Sequence, residues 1–291
     1  MTVLPHPSTP VHPMPVPRMS APPPVEPGLL SRALEVAGRL ANDAAEVIIA
    51  TAGRDRRCGE PENGPPGAEY KANPFDWVTD TDRTLERHTR RVLAAEFPGI
   101  PVVGEEYGAD PGVAGAEYRW VVDPVDGTAN YVAGLPWCAY SLALVDSSGP
   151  VVGVIADPNR AQIYAAARGR GVRSNGVPVR IAPRTSPSGG LVCAEQVTEP
   201  LLRRAAAAHT GIRVLGSAAL AVAQVALGHA VAAVLDSYHE WDVAGALGLA
   251  LEAGAVVVDR DGRANPLPAG GLLVAVPGVL DEVFGWWRAS G

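Results

Sequence analysis

Cysteine is scarce in this chain: Cys58, Cys138 and Cys193 are the three in 291 residues, widely spaced and without a CxxC pairing. An odd, scattered set argues against a disulfide framework or a zinc site and points to a reducing cytoplasm. Positive charge is also short. Lys and Arg total 24 against 31 Asp and Glu, a formal charge of -7, and no basic block is present that would track a phosphate backbone, so nucleic acid is not an expected partner. No apolar run reaches the ~18 residues of a membrane helix. The opening MTVLPHPSTPVHPMPVPRMS sets prolines where a secretory signal needs an apolar core. The expectation is a soluble, unexported protein that meets neither membrane nor nucleic acid.

What is present is a chain 47% hydrophobic and 19% charged, enough for a large buried core in one domain or two tightly joined ones. Residues Met1 to Gly28 are proline-rich without a sustained period and read as a disordered tail, His6 and His12 included. From Leu29 apolar residues recur at three and four residue steps, from Leu30 through Ala37 and Ala44 to Ile48, which makes an amphipathic helix. CGEPENGPPGAEYK reads as a surface loop. A second helix is expected from about Asp80 to Phe97, with Leu85, Val92, Leu93 and Phe97 on its apolar side. CAYSLALV, VVGVIAD and QIYAAAR, split by DSSGP and PNRA, read as an antiparallel meander. ALAVAQVALG and DVAGALGLALEAG read as helices, each followed by a strand, AVAAVLD and AVVVD. This mix predicts layered α and β structure with two sheets. Cys138 and Cys193 read as buried small residues, and Trp286 and Trp287 as packing residues of a C-terminal helix.

Four places carry acid at the junction of an apolar run with a turn or helix start. KANPFDWVTDTD holds Lys71, Asp80 and Asp82; VVGEEYG holds Glu105 and Glu106; WVVDPVDGTANY holds Asp123, Asp126 and Thr128; HEWDVAG holds Glu240 and Asp242. Strand ends lie side by side in α/β folds, so such junctions can converge. Converging carboxylates raise one another's pKa unless a cation neutralises them. Oxygen ligands without Cys or His select Mg²⁺, Mn²⁺ or Ca²⁺. Pro124 and Gly127 exclude a plain continuation of the strand Tyr118 to Val122, so the backbone is expected to turn there. GTANYV can then open a short helix whose free N–H groups near Gly127 and Thr128 favour an anion. The same turn also fits an ordinary Asx-turn. Asp80 reads as a helix cap or first-turn charge. His239 and Glu240 read equally as pocket mouth or solvated turn.

DPVDGTANY, with GEE upstream, VTDTD before that and WDVAGALGLALEAG near the C-terminus, resembles the inositol monophosphatase family of Mg²⁺-dependent, lithium-sensitive phosphatases. The resemblance runs from about Leu29 to Trp287 and includes ARGRGVRSNG and GSAALAVAQVALG. It implies a layered αβαβα sandwich of the α+β class, a catalytic domain over 29–291, a homodimer, and hydrolysis of a phosphate monoester. Position by position, Glu105, Asp123 and the Val125 carbonyl resemble ligands of a first metal, and Asp123, Asp126 and Asp242 those of a second. A third, weaker ion would share Glu105. Asp82 and Thr128 resemble the pair that orients and deprotonates the attacking water. The N–H groups of Gly127 and Thr128 would hold phosphate oxygens, and Gly216, Ser217 and Ala218 match a substrate-contacting turn. Lys71 reads equally as a supporting residue beside the metals or as a solvated loop lysine, and Glu106 as a residue that orients a neighbour or a water rather than a direct metal ligand.

The chain departs from the inositol-specific pattern at one place. Seven residues before Asp242, where those members carry a glutamate for a ring hydroxyl, stands Leu235, followed by Asp236. A leucine accepts no hydrogen bond, and unpaired polar groups discriminate strongly between ligands. The expected substrate is a small cyclitol or sugar phosphate, with histidinol phosphate or a nucleoside 3'-phosphate as the alternative. A catalytically idle regulatory binding protein is a third reading, which the complete acid set disfavours.

Overall fold

The computed structural model describes residues 22–53, 68–71 and 77–289. Most of the proline-rich segment, His6, His12, Cys58 and the bulk of the loop after it lie outside the described residues. Helix α1 (Pro27–Thr51) starts two residues before Leu29. Pro27 brings a preset φ to its first turn, and the Glu26 carboxylate accepts from Gly28 N (2.8 Å) and Leu29 N (2.5 Å). Strands β1 (Ala68–Tyr70) and β2 (Trp77–Thr79) pair antiparallel, so the end of the expected loop is a short strand. Three residues are too few to show a period of two in the sequence. Helix α2 (Asp80–Glu96) closely matches its expected span.

The chain then builds a large sheet from β3 (Val102–Gly104), β4 (Gly108–Ala109), β5 (Arg119–Asp126), β6 (Ala139–Asp146), β7 (Gly149–Asp157), β8 (Gln162–Ala167), β9 (Val172–Ser174) and β10 (Val177–Val179). A short helix, α3 (Thr128–Ala133), follows β5. The strand order is β10-β9-β8-β7-β6-β5-β3-β4, with β6, β7 and β8 forming the expected antiparallel meander. A second sheet, ordered β12-β11-β13-β15-β14, combines β11 (Leu191–Ala194), β12 (Gly211–Arg213), β13 (Ala232–Leu235), β14 (Val256–Asp259) and β15 (Leu272–Ala275). Helices α4 (Glu199–Ala207), α5 (Ala218–Ala226), α6 (Glu240–Ala253) and α7 (Leu280–Arg288) complete the chain.

Alternating strand residues divide the core into layers. Leu142, Leu144, Val152 and Val154 cluster with the buried stripe of α1, while Ala143, Val145 and Ile155 on the other face meet α6. In the second sheet Ala233, Leu235 and Val274 pack toward α5 and α6; Ala232, Val234, Leu273 and Ala275 pack with Trp286 and Trp287 of α7. The order is therefore α1 and α2, first sheet, α5 and α6, second sheet, α4 and α7: a layered αβαβα sandwich. Small residues allow the middle layer to lie close. A Cβ on Gly153 would run into Gly245 O and the Gly248 backbone, so α6 rests directly on β7 there.

Strand β5 does not stop at Val122. It runs through Pro124 to Asp126, and its register with β6 slips between Asp123 and Asp126. Proline lacks the N–H that a regular ladder needs at that point, and a bulge accommodates it without ending the strand. The acids thus project from a kinked strand end rather than from a free turn.

Candidate active site

The bulge in β5, the turn after β3 and the first turn of α6 bring Glu105, Asp123 and Asp242 together. One carboxylate oxygen from each lies within 4.8 Å of the others. Asp123 is fully buried, and its Oδ1 accepts from Val125 N at 3.0 Å, which fixes the carboxylate across the bulge. Burial, followed by the charges of Glu105, Asp126 and Asp242, holds its pKa well above the usual carboxylate range. Asp242 is raised to about 6, by burial first and then Glu105, against the hydrogen bond it accepts from His239 N at 2.6 Å. It is the third residue of α6: the helix starts at Glu240, and Asp242 reaches back to the capping position.

Asp126 lies next to this cluster but turns to α5. It accepts from Ala218 N (3.1 Å), Ala219 N (3.0 Å) and the Ser217 hydroxyl. Burial and the Asp242 charge nevertheless lift it to about 7. Gly127 follows with φ +84°, and a Cβ there would meet Trp137 O at 2.7 Å and Gly216 O at 3.0 Å. Only glycine fits both the backbone and the space. Asn130 Nδ2 donates to Trp137 O and Leu215 O, both at 2.8 Å, and so holds the Gly216–Ala218 turn beside Gly127.

Thr128 Oγ1 lies 3.2 Å from Asp82 Oδ1 and 2.8 Å from Val125 O. Asp82 is buried in the first turn of α2, where its Oδ2 accepts from Thr79 N (2.9 Å) and the Thr79 hydroxyl. Burial first, and then the charges of Glu105 and Glu106, raise it to about 7 despite those bonds. A buried carboxyl near neutrality, paired with a hydroxyl at the rim of an acid cluster, is suited to moving a proton. Thr79 caps α2, and Asp80 is a first-turn charge, one of its two expected roles. The Val125 side chain is buried in the core, and its carbonyl accepts from Thr128.

Lys71, the chain's single lysine, places Nζ 2.7 Å from Glu105 Oε1 and 2.6 Å from Glu106 Oε1. Burial pulls its pKa down, but the two glutamates outweigh that and leave it above its ordinary value. The turn bearing these glutamates is held by Glu86, which the sequence reading missed. Its buried carboxylate accepts from Glu106 N (2.7 Å), Tyr107 N (3.2 Å) and Arg90 Nε (2.9 Å), packed where a side chain on Gly104 would stand. Its one signal in the sequence is the spacing of four from Asp82, which puts both acids on one helix face.

Leu235 is 2% exposed and belongs to the apolar cluster between the sheets, along with Ala219, Leu220 and Tyr238. Asp236 points the other way, accepting from Trp287 Nε1 (2.8 Å) and Arg260. His239 is exposed and stacks on Trp241, with ring centroids 4.6 Å apart; Glu240 pairs with Arg119. Cys138 and Cys193 are buried, and Trp286 and Trp287 pack in the core.

The donor set fits a hard divalent cation: three converging carboxylates, no imidazole or thiolate, and, on Asp123 and Asp242, pKa values raised by burial and then by neighbouring charge. Among the described residues no helix is long and apolar enough to cross a membrane. Comparison with known proteins gives a concordant result. Residues 29–285 match the inositol monophosphatase family. Inositol-1-monophosphatase of Rhizobium meliloti is 35% identical over 217 residues, 69% of this chain and 78% of the relative. Inositol-1-monophosphatase SuhB of Mycobacterium tuberculosis is 32% identical over 276 residues, 87% and 92% of the two chains. The Nus factor SuhB of Pseudomonas aeruginosa is 34% identical over 210 residues, 68% and 78%. The solved IMPase of Thermotoga maritima superposes with a TM-score of 0.77 at 26% identity, covering 89% of this chain and 97% of its own. With sequence, fold and acid cluster in agreement, the chain belongs to the inositol monophosphatase family and is a phosphatase.

Proposed function

We propose that this phosphatase is a Mg²⁺-dependent phosphomonoesterase acting on a small cyclitol or sugar phosphate. The observation that carries the reading is the Glu105–Asp123–Asp242 cluster with the Asp82–Thr128 pair at its edge. Glu105, Asp123, the Val125 carbonyl, Asp126 and Asp242 would hold two or three Mg²⁺ ions, which supply Lewis-acid stabilisation of phosphoryl charge and acidify water. Asp82 takes the proton of the attacking water through the Thr128 hydroxyl, held for this by its bonds from Thr79 and its 3.2 Å contact with Thr128. The N–H groups of Gly127 and Thr128 bind phosphate oxygens, and Gly127 admits them because no side chain intervenes. Ser217 and Ala218, held beside Asp126, together with Gly216, border the alcohol part of the substrate. Water displaces the alcohol directly, without a covalent phosphoenzyme.

Residues 29–291 act as one catalytic unit in a cytoplasmic homodimer on this reading. A second reading keeps the chemistry but changes the alcohol, to histidinol phosphate or a nucleoside 3'-phosphate. The absence of a carboxylate at Leu235 favours it: buried between the sheets, this side chain offers a ring hydroxyl no acceptor. Phosphate release from a panel of these monoesters with Mg²⁺ distinguishes the two. Preference for myo-inositol 1-phosphate supports the first reading, and preference for an alcohol lacking the matching hydroxyl supports the second. No release from any member would overturn both.

A further inference from the structure

The far end of α6 borders a hollow where, among the described residues, positive charge outnumbers negative. A cavity of about 470 Å³ opens between the C-terminal end of α6, the turn after β8 and the β9–β10 hairpin. Arg170, Arg173 and Arg180 line it, all exposed. Elsewhere arginines such as Arg90, Arg119, Arg168 and Arg260 pair with carboxylates. Among the described residues none of the three does. Arg170 donates to the neutral Ser31 Oγ and Pro27 O, both at 3.0 Å, and Arg173 to Gly176 O at 2.8 Å. Arg180 has no side-chain partner among the described residues.

The one acid lining the hollow, Glu252, has both oxygens taken by backbone amides, Gly169 N and Gly171 N at 2.9 Å each. The negative end of α6 adds about half a charge. One carboxylate and a helix terminus therefore face three guanidinium groups, in a chain whose overall charge is negative. Val172, Val179 and Ile181 line the same hollow and give it an apolar floor.

We propose that this hollow is a second, non-catalytic anion site that takes a small phosphorylated molecule. Its phosphate sits among the three guanidinium groups, whose planar forks match phosphate oxygens, and its carbon body lies on the apolar floor. The cavity falls within the usual size range of small-molecule sites. It is distinct from the acid cluster: Asp242 stands in the first turn of α6 and Ala253 in the last, about 16 Å apart along the helix axis.

The test is calorimetric titration of the metal-free, full-length protein with inorganic pyrophosphate, under conditions where the unneutralised acid cluster repels anions. Saturable binding is expected, weakened at least about tenfold in R173A/R180A and unchanged in Asp126→Asn. Both arginines are exposed, so the double variant should keep the melting temperature of the wild type and its Mg²⁺-dependent turnover. Absence of saturable binding, equal binding by the double variant, or loss of binding in Asp126→Asn would overturn the proposal. Tighter capture of a short single-stranded RNA than of pyrophosphate would overturn the small-molecule assignment.

Discussion

Metal-free protein is expected to lose thermal stability as pH rises from about 5 to about 8, and Mg²⁺ to restore it mainly at the upper end. Asp82, Asp126 and Asp242 have folded pKa values of about 7, about 7 and about 6 against an unfolded value of 3.8, and Asp123 is raised as well. Between the unfolded and folded values the native chain holds protons that the unfolded chain has released. Stability therefore falls throughout that window, and the whole penalty is present above the folded pKa. A single carboxyl raised from 3.8 to about 7 represents ~4 kcal/mol. The acids repel one another, so their shifts share a common cause and do not add. At roughly 2–4 °C per kcal/mol for a protein of this size, the melting temperature in EDTA should drop by on the order of 10 °C across the window. Differential scanning calorimetry in EDTA and in Mg²⁺ at both ends checks this. A melting temperature in EDTA that is flat or rises with pH, or Mg²⁺ stabilisation equal at both ends, would refute the argument.

Asp126→Asn is expected to keep the fold and leave less than about a tenth of wild-type kcat, since it removes a ligand charge at nearly constant volume; steady-state kinetics beside a melting curve read this. Thr128→Ala should lower kcat while Mg²⁺ affinity by titration stays near wild type, and parallel loss of both would mark Thr128 as structural. Leu235→Glu should lower the melting temperature by several degrees, because it buries a carboxylate in the cluster with Ala219 and Leu220. A stable variant with raised selectivity for inositol phosphate would instead show that this side chain reaches the substrate. Removal of Met1 to Ala21 should leave melting temperature and turnover unchanged, provided Glu26 remains to cap α1.

The acid motifs were legible in the sequence because each is local. Asp123, Asp126 and Thr128 lie within one short stretch, and amphipathic spacing announced α1 and α2 before it. The layered sandwich followed from the alternation of strands and helices. What stayed hidden depends on contacts across the chain. Nothing local says that β5 passes Pro124 by slipping its register with β6, because the slip is set by the partner strand. Glu86 resembled an ordinary helix glutamate until the backbone of Glu106 and Tyr107 was seen to close on it. Asp126 read as a simple metal ligand, yet the start of α5, about ninety residues later, supplies its hydrogen bonds. Leu235 belongs to the same class: its spacing from Asp242 is local, but the cluster that buries it is not.

Phosphate release from myo-inositol 1-phosphate, followed in Mg²⁺ and again after EDTA dialysis, tests most directly whether these acids form a cation-dependent phosphatase site. The account predicts turnover that vanishes with the metal, returns on adding Mg²⁺ and stays below about a tenth of wild type in Asp126→Asn even with Mg²⁺. Full turnover in metal-free buffer, or an Asp126→Asn variant as active as the wild type, would contradict it.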